Sequence, residues 1–346
     1  MTIAFGAFAG AFVWAFFFLM NVGIHLLWDV APTSLAAAGL PTVLYPIVFC
    51  ALGGLCIGLF AKRFGPYPDD MNTVMAQVKS EGRYEYKHLG ASFFGALFPL
   101  LFGGSIGPEA GLTGVIAGLC TWVGDRLRFM GAEMRELAEA GCAAAISAIF
   151  ATPLFGLAVP VFGSTDESDG SRPVSEIRLD ISKPIKIAVY VLAAAGAMGM
   201  MALLGSVFGR SGGLPHFSEI ALGSLELLWA LPLIVIGAVA GWLYFPFGAF
   251  ARKLSALMGN HVVVKPVLAG IVLGALGVVL PFVLFAGEAQ TEELSLAWTT
   301  IGAGLLIATG FIKVFATQLC LNMGWRGGHF FPIIFAGIAI GYGMAA

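Results

Sequence analysis

From Ile3 to Trp28 the chain carries no Asp, Glu, Lys or Arg, and apolar stretches of this kind recur to its end. Crossing a bilayer takes about 20 predominantly apolar residues in a helix. Stretches of roughly that length run from about Ile3 to Trp28, Gly39 to Ala61, Ile187 to Phe208, Leu227 to Phe250, Val267 to Phe285 and Ala297 to Cys320. Others are too short to cross alone: Leu89 to Phe102, Leu112 to Val123, Ala138 to Phe150, Leu154 to Phe162, and the run that begins at Phe330. Gly and Pro punctuate them. Broken helices at membrane depth are tolerated only where protein buries them or a cavity adjoins them. Their recurrence in both halves points to an architecture of inverted repeats. The pattern predicts one repeat over 1–163, a polar linker over 164–186, and a second repeat over 187–346. The linker holds Asp166, Glu167, Asp169, Arg172, Glu176, Arg178 and Asp180 and reads as a solvated loop.

Composition supports an all-α integral membrane fold. Only 11% of the 346 residues are charged, against 59% hydrophobic. A water-facing surface needs about one quarter charged. The 47 glycines suit helices that approach closely, because lipid tails compete with any merely apolar contact. A β-barrel would instead show alternating segments of about ten residues. With a net charge of -2 there is no basic face for nucleic acid. Cys50, Cys56, Cys120, Cys142 and Cys320 sit in apolar stretches without a C-x-x-C, so neither disulfides nor zinc is indicated. The first segment lacks a charged leader and is too long for a signal peptide, so it reads as a spanning helix.

Orientation follows Lys and Arg. The loop expected from Asp29 to Leu40 has neither, whereas Lys62, Arg63, Lys79, Arg83 and Lys87 cluster in the next polar stretch. That stretch, and with it the N-terminus, is placed in the cytoplasm.

Two motifs carry chemistry. The first is Gly103-Gly104-Ser105-Ile106-Gly107-Pro108-Glu109-Ala110-Gly111. Pro108 suits a helix's first turn, and the glycines let the backbone turn sharply before it. A helix start inside the bilayer presents N–H groups and a positive dipole end, an arrangement that attracts anions. Glu109 can simply cap that helix, but a carboxylate at membrane depth is costly and is the better functional candidate. A phosphate loop would end in Gly-Lys-Ser/Thr, which is absent. The second motif, Gly324-Trp325-Arg326-Gly327-Gly328-His329-Phe330-Phe331-Pro332, repeats the logic. No second His or Cys stands at ligand spacing from His329, so its backbone is favoured over its imidazole and no metal is implied. Arg326 reads equally as a snorkelling side chain or as lining a polar vestibule.

Three weaker signals follow. Asp69 or Asp70 caps a short amphipathic helix over Met71 to Val78. Phe150-Ala151-Thr152-Pro153-Leu154-Phe155-Gly156 reads as a pair of helices broken by proline. Glu288 reads as a vestibule charge or an exposed loop acid, with the loop acid favoured.

Together these segments resemble the CLC family of chloride channels and chloride/proton antiporters, in particular its divergent bacterial ion-transport members. Gly103 to Gly111 is similar to the family's G-[KR]-E-G-P segment, with Pro108 in place of the basic residue. Gly328 to Pro332 matches G-x-F-x-P, and Phe150 to Gly156 resembles F-N-x-P-L-x-G. The order agrees along nearly the whole chain. The resemblance implies a CLC-type fold of short, tilted and broken helices, and transmembrane movement of an anion, chloride, through a cell-membrane protein. It makes Glu109 the gating residue. The anion contacts it implies are Gly107, Pro108, Ala110, Gly328, His329, Phe330 and Phe331. Gly65 and Pro66 join them where the family has G-S-G-I-P, with Gly65 taking the serine's place.

The family's antiporters carry an internal glutamate at a position that falls near Gly163, with Asp166 and Glu167 just beyond. A glycine at that position speaks against proton coupling, so the chloride/proton antiporter stands as the alternative. The family's fluoride branch has different filter motifs. The family's last helices, with a pore tyrosine and part of a homodimer interface, would lie beyond Ala346. Apart from the anion and the bilayer, no cofactor is implied. A membrane-embedded enzyme using Glu109 and His329 as acid and base is the competing class. It lacks an H-E-x-x-H or G-x-S-x-G motif to support it.

Overall fold

A computed structural model describes residues 2–126, 132–153, 183–209, 212–213 and 223–346. Its regular elements are helical: α1 Thr2–Ile24, α2 Ala31–Ala37, α3 Tyr45–Phe64, α4 Met71–Glu81, α5 Leu89–Leu101, α6 Glu109–Arg126, α7 Ala132–Phe150, α8 Lys183–Phe208, α9 Ser224–Leu257, α10 Val264–Val279, α11 Glu288–Ala297, α12 Ala303–Asn322 and α13 Phe330–Ala345. Among the described residues, five helical stretches are long and apolar enough to cross a membrane: Thr2–Ala37, Tyr45–Phe64, Pro184–Phe208, Leu228–Leu257 and Ala303–Asn322. Leu89–Leu101, Leu137–Phe150, Val264–Val279 and Phe330–Ala345 are apolar but shorter. The 34 residues of α9 extend about 51 Å, more than a hydrocarbon core of about 30 Å. Ile234, Trp242 and Phe245 on α9 are 65–70% exposed. Large apolar side chains left bare along a helix of this length face lipid.

The chain folds as two compact units interleaved in sequence. One comprises Met1–Asn21, Pro68–Phe93 and Glu109–Gly213; the other comprises Val22–Tyr67, Phe94–Pro108 and Leu214–Ala346. In the first unit α6 is buried from Glu109 through Gly118 and packs on α7, which packs on α8. A helix enclosed on every side has no use for an amphipathic stripe, and α6 shows none. The amphipathic helix read at Met71 to Val78 is α4, with Met71, Val74, Met75 and Val78 turned inward. Asp70 is its cap: the carboxylate accepts from the Thr73 N–H at 3.0 Å and the Thr73 hydroxyl at 2.6 Å. Asp69 instead accepts from the Tyr84 hydroxyl at 2.7 Å.

Partial burial pushes the Asp70 carboxyl up. The hydrogen bonds from the Thr73 side chain and from the backbone of Thr73, Asn72 and Asp70 outweigh it and hold the group below its ordinary range. A carboxyl held lower in the folded chain than in the unfolded one stabilises the fold above the unfolded pKa, near 4. That stabilisation disappears as pH falls through the folded value. Asp70→Ala is expected to cost about 1 kcal/mol at pH 7 and progressively less towards pH 3, read from thermal unfolding in detergent micelles.

In the second unit α3 and α10 lie backbone to backbone. A Cβ on Gly54 would stand 2.2 Å from the Pro266 carbonyl oxygen, and one on Gly270 2.2 Å from that of Cys50. Gly58 and Gly274 repeat the contact one turn along each helix, against Val263 and Ile47. These are G-x-x-x-G faces, which let helices associate through close packing when apolar burial supplies little drive. Gly54→Val forces the pair apart and is expected to lower stability by about 1–3 kcal/mol in the same assay.

Three expectations need correction. The stretch from Val267 to Phe285, read as long enough to cross, is helical only to Val279 and is one of the shorter apolar helices. The segment from Asp29 is not a loop: α1 continues through π-helical turns over His25–Val30 into α2, and the chain stays helical to Ala37. His25 and Asp29 pair one turn apart at 2.9 Å, and Pro32 lies in the first turn of α2 without ending the helix. Glu288 is not an exposed loop acid either. It is 8% exposed and opens α11. Gly287 precedes it at φ 109° and donates its N–H to the Gln290 side chain at 3.1 Å. Its backbone turns into α11 where a side chain would strike Phe335.

Candidate functional site

The segment before Glu109 is built by the end of α5. Phe102, Gly103 and Gly104 donate back to the carbonyls of Phe98, Leu100 and Pro99 at 3.1, 3.3 and 2.8 Å. Gly103 takes φ 82°, a left-handed conformation that favours glycine. A Cβ there would also lie 2.8 Å from the ring of Trp28, whose indole N–H donates to Leu101 at 2.9 Å. Trp325, fully buried, anchors the second motif by donating its indole N–H to the Pro266 carbonyl at 2.9 Å.

The two glycine-rich motifs meet. Gly107 and Gly328 exchange N–H···O bonds of 2.8 and 2.7 Å, an isolated antiparallel bridge between segments far apart in sequence. Gly327 has to be small here, because a Cβ would stand 2.9 Å from the Gly107 carbonyl oxygen. Two residues beyond the bridge along each strand of chain, a helix begins: α6 at Glu109 and α13 at Phe330. The bridge uses the N–H groups of Gly107 and Gly328, and Pro108 has none. The helix-opening amides of Ala110, Phe330 and Phe331 follow it.

Glu109 is completely buried in the first turn of α6, with Thr113 donating its hydroxyl to the Glu109 carbonyl at 2.7 Å. His329 is the residue before α13. Its ring packs on Tyr244 and Phe330, with centroids at 5.6 and 4.8 Å. Gly65 ends α3 at φ 103° and donates its N–H to Ala61 at 3.0 Å; Pro66 has no N–H. The break expected after Phe150 begins as read: α7 stops there and Ala151 has φ 51°. Leu154 to Phe162, Gly163, Asp166, Glu167 and the rest of the polar linker up to residue 182 lie outside the described residues.

Two buried charges escaped the reading of the sequence. Lys313 is fully buried in α12 and donates to the carbonyls of Phe282, Leu284 and Phe285 at 3.0, 2.8 and 2.9 Å. It is the only charged residue between Glu293 and Arg326, which is a legible signal at membrane depth. Glu139, 4% exposed on α7, takes an ion pair from Lys186 at 2.5 Å and the hydroxyl of Tyr190, both on α8.

Residues 53–346 match the family described as Voltage gated chloride channel. Relatives from Salmonella newport (strain SL254) and Salmonella paratyphi A (strain ATCC 9150 / SARB42) carry the name "Putative ion-transport protein YfeO". The first is 27% identical over 336 residues, which are 92% of this chain and 72% of the relative. The second is 27% identical over 342 residues, 93% and 74%. A solved structure of a slow cyanobacterial Cl-/H+ antiporter superposes with a TM-score of 0.72 at 18% identity, covering 99% of this chain and 78% of that one. A CLC-type fluoride/proton antiporter gives 0.67 at 20% identity, covering 98% and 78%. At these identities the likeness is one of fold.

Proposed function

Because the chain belongs to the voltage gated chloride channel (CLC) family, a family of anion channels and transporters, we propose that it moves chloride across the membrane, with Glu109 as the gate. The observation that carries this reading is the Gly107–Gly328 bridge, which joins the two segments whose helix starts the sequence marked as anion-attracting. Within each unit the helix-opening N–H groups offer an anion a place: Ala110 at the start of α6, and His329, Phe330 and Phe331 at the start of α13. Dipole ends and N–H groups there stand in for part of its hydration shell. Ionised, Glu109 competes with the anion as a negative charge; protonated, it yields. The protein is an integral, multi-pass membrane protein. Its bacterial relatives support the cell membrane as its place, and the family resemblance adds a homodimer, which crosslinking in liposomes tests.

Chloride efflux from proteoliposomes, with external pH recorded in parallel, is the deciding experiment. Efflux above protein-free liposomes supports the reading, and its absence with folded protein removes it. A second reading, chloride/proton exchange, has one observation behind it. Glu139 is a buried carboxylate touched by an ammonium and a phenol, three groups able to hold a proton. Exchange predicts proton movement in fixed ratio to chloride, and its loss in Glu139→Gln with chloride efflux retained. Chloride efflux without proton movement in the wild type decides for the channel.

A further inference from the structure

Lys313 does more than sit in the wall of α12. Its ammonium has three N–H donors and uses all three on the carbonyls of one short segment, Phe282 to Phe285. The Phe335 ring lies 4.7 Å beneath it. Among the described residues none of its partners is a carboxylate, so carbonyl dipoles solvate the charge and nothing cancels it. A neutral amide could tie two of those carbonyls at far lower desolvation cost. Retaining a whole charge at this depth asks for a use of the charge.

The contacts lead from Lys313 to the loop that precedes Glu109 by two routes. Phe285 takes φ 62°, a left-handed backbone unusual for an aromatic residue and a conformation that persists only where the surroundings hold it. Its N–H donates to the Gly103 carbonyl at 3.0 Å, and the carbonyl on the other side of the same peptide, that of Leu284, accepts from Lys313 at 2.8 Å. The Leu284–Phe285 peptide therefore stands between the ammonium and Gly103, its oxygen toward the charge and its N–H toward the loop. Peptides linked in this way polarise one another. By the second route, the Lys313 carbonyl accepts from the Thr317 hydroxyl at 2.9 Å, and that hydroxyl meets Ser105 at 3.3 Å. Gly103 and Ser105 both belong to the loop whose Gly107 pairs with Gly328.

We propose that Lys313 is a positioning residue for anion binding: its buried ammonium holds the 103–107 loop through the Leu284–Phe285 peptide and raises the loop's affinity for an anion. The proposal rests on the anion reading above. It concerns affinity, which a merely structural lysine would leave alone once the protein is folded.

The test uses the purified full chain and three variants. Lys313→Arg keeps the charge, Lys313→Gln removes it but keeps two donors, and Lys313→Met removes both. Folding is read by gel filtration and thermal unfolding in chloride-free detergent buffer, and chloride Kd by titration calorimetry. Folded Lys313→Gln is expected to bind chloride about tenfold more weakly than wild type, with Lys313→Arg within about threefold. Lys313→Met is expected to be at least as weak as Lys313→Gln where it folds. Wild-type affinity in folded Lys313→Gln overturns the proposal and leaves the anion reading standing. So does failure of all three variants to fold, which makes the lysine scaffold alone. A wild type that neither binds nor releases chloride removes the anion reading itself, and this proposal with it.

Discussion

Glu109→Gln is expected to give chloride efflux that no longer responds to pH, while wild-type efflux rises as the medium is acidified. Glu109 has no exposed surface and occupies the first turn of α6, where the helix dipole favours negative charge. An anion drawn to the same N–H groups meets a carboxylate there already, so two negative charges compete for one set of donors. Protonation removes the competitor. If a single proton opens the path, efflux changes by up to about tenfold per pH unit across the titration and levels off on either side. Glutamine keeps the shape and loses the titration, so its efflux should be flat with pH. Alanine also removes the bulk, so Glu109→Ala should be flat and at least as fast. The measurement is efflux from liposomes between pH 4 and 8 for the three proteins. A glutamine variant that keeps the wild-type pH profile would falsify the gate and leave the anion path intact.

How far the sequence reaches is clear from particular residues. Hydropathy located most of the spanning stretches because a helix in lipid must be apolar along its length, whatever its neighbours are, but it ran α10 on to Phe285 where the helix stops at Val279. The helix starts at Glu109 and Phe330 and the cap at Asp70 were legible because capping and turning are local chemistry, settled within a few residues. What lies between segments was not. Nothing local says that Gly107 pairs with Gly328, or that the widened turn at His25 carries α1 past Asp29 and Pro32. Glu288 looks like a loop acid because it ends an apolar run, and only the packing of α11 against α13 buries it. Lys313 was visible as a lone charge. Its meaning depends on three carbonyls from another segment, which no spacing rule supplies.

Gly103→Ala is expected to reduce chloride efflux by about tenfold or more. Two costs add. The first is conformational: at φ 82° an L-residue strains its Cβ against its own backbone, worth about 1–2 kcal/mol. The second is steric, because the new methyl lies 2.8 Å from the Trp28 ring and 3.4 Å from the Cys50 sulfur. Trp28 has little room to yield: its N–H is tied to Leu101, and Tyr45, Phe49 and Phe285 surround its ring at 5.0–5.9 Å. Relief must come from Gly103 itself, whose carbonyl holds the Phe285 N–H. Displacing that peptide moves Ser105 and the Gly107–Gly328 bridge with it. The double variant Gly103→Ala, Trp28→Leu separates the costs, since leucine opens space beside the methyl but leaves φ unchanged. Efflux recovered to the level of Trp28→Leu alone would make the clash the whole effect. Efflux that stays low would make the left-handed backbone at Gly103 the requirement, and Gly103→Asn, which tolerates that conformation better than alanine, should then fall between alanine and glycine when both are compared in the Trp28→Leu background.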